Sequence, residues 1–258
     1  MAEYKTNDKE QDCSPNASQK TAYQGNQQGD ERVSGGGEEV VVLFHGLGRT
    51  RFAMRPVERH LTRQGYTVVN VGYPSQRYAI SDLVQDYVRP AIERAAKQGP
   101  VNVVTHSLGG ILLRYYLAQF SQEHARGLVK RVVMLAPPNH GSEVVDQLRR
   151  IWGIPRILGP AFEQLGTDNR SIPLQLLEKD VITESCDVGI VAGTVSYEPW
   201  LSQWLTKEND GKVAVQSAVL AGADFLTVPA NHTTIMRDKR VLREISFFLA
   251  KGRFTSQQ

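Results

Sequence analysis

One stretch constrains the fold of this chain more than any other: Val101-Asn102-Val103-Val104-Thr105-His106-Ser107-Leu108-Gly109-Gly110-Ile111. A β-branched apolar run stops at a serine and two glycines, and an apolar pattern of helical spacing begins. The physical reading is a strand, a sharp turn and a helix. A strand entering such a turn leaves Ser107 at the tip, with its hydroxyl projecting above the sheet. Gly109 and Gly110 let the new helix pass close to the strand that feeds it.

Other runs repeat the strand half of this pattern. Val40-Val41-Val42-Leu43-Phe44 is continuously apolar, as a strand buried on both faces of a parallel sheet must be. Residues 66–71, 131–136, 188–194 and 224–229 read as further strands. Between them, residues 54–64, 80–96 and 108–120 carry helical spacing, and residues 238–250 form an amphipathic closing helix. Pro90 is placed to kink the helix over 80–96. Strands alternating with helices predict an α/β fold: a mostly parallel, twisted sheet with helices on both faces.

The alternation breaks over 143–184, where Trp152, Ile157, Leu158 and Phe162 are interspersed with Pro155, Pro160 and Pro173. That segment predicts short apolar helices, forming either a small cap or lid above the serine edge or an ordinary pair of packed helices. Residues 1–37 are polar and end in three glycines; too little apolar surface offsets their ordering entropy, which predicts a disordered tail before a domain over 38–258. A length of 258 residues suits one domain with a substantial core.

The formal charge of +3 is mild and no basic stripe interleaves with aromatics, so nucleic acid is not an expected partner. No apolar run reaches the length of a membrane span. Cys13 and Cys186 make a poor disulfide, and no histidine pair has metal-ligand spacing, so no metal or cofactor is expected. No apolar signal segment is readable at the N-terminus, which makes a cytoplasmic location the default. Nothing in the sequence specifies an oligomeric state.

The serine turn resembles the nucleophile elbow, G-x-S-x-G, of the α/β-hydrolase superfamily, with Thr105 in place of the first glycine. His45-Gly46-Leu47-Gly48, after the first strand, resembles the His-Gly turn of bacterial lipases and esterases. Pro137-Pro138-Asn139-His140-Gly141-Ser142 is a further match, and the likeness extends over about 40–254. It points towards bacterial serine esterases and lipases, including lipase class 2 and inositol-deacylase-like hydrolases. The resemblance implies an α/β-hydrolase fold, Ser107 as nucleophile, and an oxyanion hole made by the backbone N–H groups of Leu47 and Leu108.

A serine hydroxyl needs a base, and the base needs an acid to fix its tautomer. Of six histidines, His232 alone follows the last strand, where the chain returns to the serine edge. Asp187 and Asp224 precede their strands and lie at the opposite edge. Glu198, Glu208 and Asp210 remain; the resemblance selects Asp210, in an Asp-Gly turn before Val213-x-x-x-Ser217, with Glu208 in reserve.

These residues suggest a serine carboxylester hydrolase acting through an acyl-enzyme on a small-molecule ester or lipid. Trp152, Ile157, Leu158, Phe162 and Trp200 are the candidate substrate-binding residues, and their character suggests an apolar acyl chain rather than a charged substrate. Acyl transfer or thioester hydrolysis would use the same residues. A non-catalytic acyl-lipid binding module is the alternative from a different class.

Overall fold

The computed structural model describes residues 39–120, 127–178, 182–205 and 207–255. The tail expected over 1–37, with Cys13, and also His124 lie outside them. Six parallel strands form one sheet: β1 (Val40–Phe44), β2 (Thr67–Val71), β3 (Val101–His106), β4 (Val129–Leu135), β5 (Asp187–Gly193) and β6 (Asp224–Val228). Their order across the sheet is β2-β1-β3-β4-β5-β6. The chain thus runs from β1 to one side and returns to the other. The gap between the ends of β1 and β3 is the topological switch point, where open α/β sheets bind ligands.

All six residues of β3 are buried, as a central strand covered on both faces requires. On one face, Val42, Phe44 and Val103 pack with Leu83, Val88 and Ile92 and with Ile111, Leu112 and Tyr116 of α4 (Leu108–Phe120). On the other, Val41, Leu43 and Val104 pack with Val57 and Leu61 of α1 (Arg55–Arg63) and with Val241, Ile245 and Phe248 of α12 (Lys239–Lys251). Asp238 caps α12, its carboxylate accepting from the backbone N–H groups of Arg240 and Val241.

The helix expected over 80–96 is α2 (Ile80–Leu83), a π-helical turn (Val84–Val88) and α3 (Arg89–Ala95). Pro90 lies in the first turn of α3. Proline lacks the N–H that would bond four residues back and crowds that carbonyl, and the wider turn accommodates it. Between β4 and β5 the chain forms short helices: α5 (Glu143–Arg149), α6 (Ile154–Leu158), α7 (Pro160–Glu163), α8 (Ile172–Leu177) and α9 (Ile182–Ser185). Two more, α10 (Pro199–Ser202) and α11 (Val215–Ala218), lie between β5 and β6. No helix among the described residues is long and apolar enough to cross a membrane.

Candidate active site

Ser107 links β3 to α4 with φ of 51°, in the left-handed region that a non-glycine residue enters only at some cost. Its backbone N–H donates to the Leu135 carbonyl at 2.9 Å, which fixes the turn to the end of β4. A Cβ on Gly109 would lie 2.7 Å from the Phe44 carbonyl oxygen, so only glycine lets α4 start this close to β1. Thr105 is fully buried, and a Cβ on Gly110 would stand 3.3 Å from its hydroxyl. The second glycine makes room for the threonine at the motif's departure point.

The loops after β5 and β6 bring two more groups to Ser107. His232 Nδ1 lies 2.7 Å from Asp210 Oδ2, and its Nε2 lies 3.1 Å from Ser107 Oγ. An ionised carboxylate only accepts, so Nδ1 carries the proton and Nε2 accepts from the serine hydroxyl. The other Asp210 oxygen accepts from the backbone N–H groups of Lys212 and Val213 at 3.0 and 2.9 Å. The His232 N–H donates to the Asp210 carbonyl at 3.0 Å, tying the two loops together. Glu208 is exposed, and its carboxylate makes no bond to His232.

Two buried histidines flank this line of hydrogen bonds. His106 Nε2 donates to the His232 carbonyl at 3.0 Å, with the two rings 4.9 Å apart. Burial first, then His232 and the cations Arg49 and Lys212, holds its imidazole well below the usual histidine range. His45 stacks on Tyr73 at 4.0 Å, and burial also lowers its pKa. That stack braces the turn after β1, where the Tyr73 hydroxyl donates to the His45 carbonyl and the Gly48 N–H to Ser75 Oγ. Among the described residues, no backbone hydrogen bond outside the helices and strands uses the N–H of Leu47 or Leu108; Leu47 lines the cavity beside Ser107, and Leu108 is buried next to it in the chain.

The Pro137–Ser142 loop joins the same edge. Asn139 is fully buried, donating to the Ala218 carbonyl at 2.7 Å and accepting from Arg114. Ser142 Oγ donates to the Lys212 carbonyl at 2.8 Å, and Ser217 Oγ donates to the Gly141 carbonyl.

A cavity of about 240 Å³ opens onto Ser107 and His232. Val144, Val145 and Leu148 of α5, with Leu158, Phe162 and Leu165, form its apolar wall. Leu158 and Phe162 are thus among the lining residues, whereas Trp152, Ile157 and Trp200 are not. Those three are 98%, 67% and 61% exposed: Trp152 lies in the turn between α5 and α6, and Ile157 and Trp200 are on the outer sides of the short helices α6 and α10. Arg49 and Lys212, which composition does not single out, also line the cavity. Their signal in the sequence is position: each lies two residues beyond a group already marked, Leu47 or Asp210.

Among the described residues, no three His, Cys, Asp or Glu side chains cluster so as to hold a metal ion. Burial, with a contribution from Asp187, pushes the Cys186 thiol up to about 12, which leaves it a poor nucleophile.

A serine at a strained strand-to-helix turn, backed by His232 and Asp210 on the last two loops of a parallel sheet, is the layout of an α/β-hydrolase. The sequence profile of the alpha/beta hydrolase family matches residues 41–246, and the chain belongs to that family. Similar solved structures include a Bacillus licheniformis lipase, BlEst2 in its mature form, with TM-score 0.66 and 20% identity over 82% of this chain and 90% of that one. The metagenomic carboxyl esterase MGS0156 has TM-score 0.66 and 18% identity over 83% and 75% of the two chains. Phospholipase PlaB from Legionella pneumophila has TM-score 0.63 and 16% identity over 82% of this chain and 58% of that one. No curated protein matches the chain by sequence.

Proposed function

We propose that this α/β-hydrolase is a serine carboxylester hydrolase that cleaves esters of apolar acyl chains through an acyl-enzyme. The observation that carries the reading is the line Ser107 Oγ, His232 Nε2, His232 Nδ1 and Asp210 Oδ2, with spacings of 3.1 and 2.7 Å, facing an apolar cavity. The family and the folds similar to a lipase and a carboxyl esterase support the hydrolase class.

Ser107 Oγ attacks the ester carbonyl carbon as its proton passes to His232 Nε2. The carbonyl oxygen takes up the negative charge, and the N–H groups of Leu47 and Leu108 stabilise it. Asp210 holds the His232 ring in position and stabilises its cation. His232 then gives the proton to the departing alcohol as the C–O bond breaks. In the second half, His232 takes a proton from water, the resulting hydroxyl attacks the acyl carbon, and the acid leaves as the proton returns to Ser107.

Hydrolysis of p-nitrophenyl esters from acetate to palmitate, wild type beside Ser107→Ala, tests the assignment. Serine-dependent turnover is expected, with the preferred chain length reporting the depth of the cavity. A folded wild type that hydrolyses none of them, or a Ser107→Ala variant that retains activity, overturns it. Adding an alcohol acceptor distinguishes hydrolysis from acyl transfer.

A further inference from the structure

The cavity's apolar wall is interrupted by two cations from separate loops. Arg49 follows the turn after β1, two residues from the Leu47 N–H, and Lys212 lies two residues beyond Asp210. Among the described residues no carboxylate lines the cavity, and Asp210 is 1% exposed behind His232. Arg49 Nη2 donates to the neutral Thr233 hydroxyl at 3.1 Å, and no carboxylate pairs with it among the described residues. A guanidinium has five donors, so this bond leaves most of its capacity open. The Lys212 ammonium forms a loose, partly exposed ion pair with Glu198 Oε1 at 3.7 Å, too long for a hydrogen bond, so its donors stay open to a ligand. Both cations lie near enough to the buried His106 ring, which shares the cavity lining with them, to help hold its imidazole neutral.

A wholly apolar ester would strip water from both cations and offer no anion to Arg49, which has no carboxylate partner among the described residues. A substrate with an apolar chain and a nearby anion fits both parts of the lining. We propose that the site takes acyl esters bearing an anionic group, phosphate or carboxylate, close to the scissile bond, with Arg49 and Lys212 as its specificity-determining residues. This rests on the ester-hydrolase reading above. Arg49 and Lys212 share one cavity lining of about 240 Å³ with Ser107 and His232, which favours an anion close to the ester over one at the far end of a long acyl chain.

The test compares octanoyl esters of glycerol, glycerol 3-phosphate and glyceric acid, which share one acyl chain. At low salt, kcat/KM for at least one anionic ester is expected to exceed that for the glycerol ester by about tenfold, the size of two partly solvated charge contacts. Which anion leads tells phosphate from carboxylate. The preference is expected to shrink as salt rises to about 0.5 M, where exposed charges are screened.

Arg49→Gln, which keeps a donor for Thr233, and Lys212→Gln are each expected to lower the anionic-to-neutral ratio several-fold. A merely structural role would lower both rates together and leave the ratio unchanged. Calorimetric binding of octyl phosphate and octanol to Ser107→Ala protein supplies a readout independent of turnover. Octyl phosphate binding that weakens in the Arg49→Gln and Lys212→Gln backgrounds supports the cationic rim even if no ester is cleaved. Equal binding of octyl phosphate and octanol, or a substrate ratio near one at low salt, overturns it.

Discussion

Replacing Asp210 by Asn removes one charge and keeps the shape, and the structure dictates how the amide sits. Asp210 Oδ1 accepts from two backbone N–H groups, those of Lys212 and Val213. An NH₂ group there would face two donors, so the amide oxygen must take that position. The NH₂ then points at His232 Nδ1, 2.7 Å away in the wild type, and forces Nδ1 to become the acceptor. The His232 proton moves to Nε2, facing Ser107 Oγ, where the ring can no longer act as base. The cation formed during attack also loses its carboxylate. For a serine–histidine pair this combination costs about 10³- to 10⁴-fold in kcat, or roughly 4 to 5.5 kcal/mol of transition-state stabilisation. The assay is kcat on the best p-nitrophenyl ester, beside thermal unfolding to show that Asp210→Asn remains folded. Turnover within threefold of wild type would refute the reasoning, as would the same loss from Glu208→Gln.

Three further outcomes follow from other parts of the molecule. Gly109→Ala pushes a Cβ to within 2.7 Å of the Phe44 carbonyl oxygen and 3.0 Å of the His45 carbonyl oxygen. Backbone cannot yield as a side-chain tip can, so calorimetry should show about 1–3 kcal/mol of destabilisation, and an unchanged Tm contradicts the packing argument. His45 and His106 are held below the usual histidine range, chiefly by burial. Below about pH 6.5 the unfolded chain binds protons at these positions that the folded chain refuses. Stability should therefore fall on acidification through that window, by at most about 1.4 kcal/mol per pH unit for each histidine, and be insensitive to them above pH 7. Denaturant unfolding at pH 7 and 5.5 checks the sign, and a gain in stability at pH 5.5 contradicts it. Leu158→Trp fills part of the apolar wall and should cut the octanoate-to-acetate ratio of kcat/KM about tenfold; an unchanged ratio means the acyl chain lies elsewhere.

The strands were legible because each is a short apolar run ending in glycine, proline or serine, and a parallel sheet buries both faces of its inner strands. Chain order and edge geometry then bring Ser107, Asp210 and His232 to one end of the sheet, since β3, β5 and β6 run in the same direction. What composition could not resolve is which way a one-turn helix faces. Ile157 and Leu158 are neighbours in α6, yet Leu158 lines the cavity and Ile157 is exposed, a difference set by the packing of α6 against α5 and α7. Trp200 in α10 faces out in the same way, and Trp152 is exposed in the turn between α5 and α6. Arg49 and Lys212 were hidden in the opposite way. A single cation in a sequence reads as solvated surface, and only the meeting of two loops places both beside the apolar wall.

The central claim is that Ser107 is a nucleophile activated by His232. Incubation of the folded protein with a fluorophosphonate, followed by intact-mass and peptide mass spectrometry, tests it most directly. The account predicts one adduct per chain, carried by Ser107 and lost in both Ser107→Ala and His232→Ala. No adduct on a folded sample, or an adduct on another residue that persists in Ser107→Ala, would contradict it.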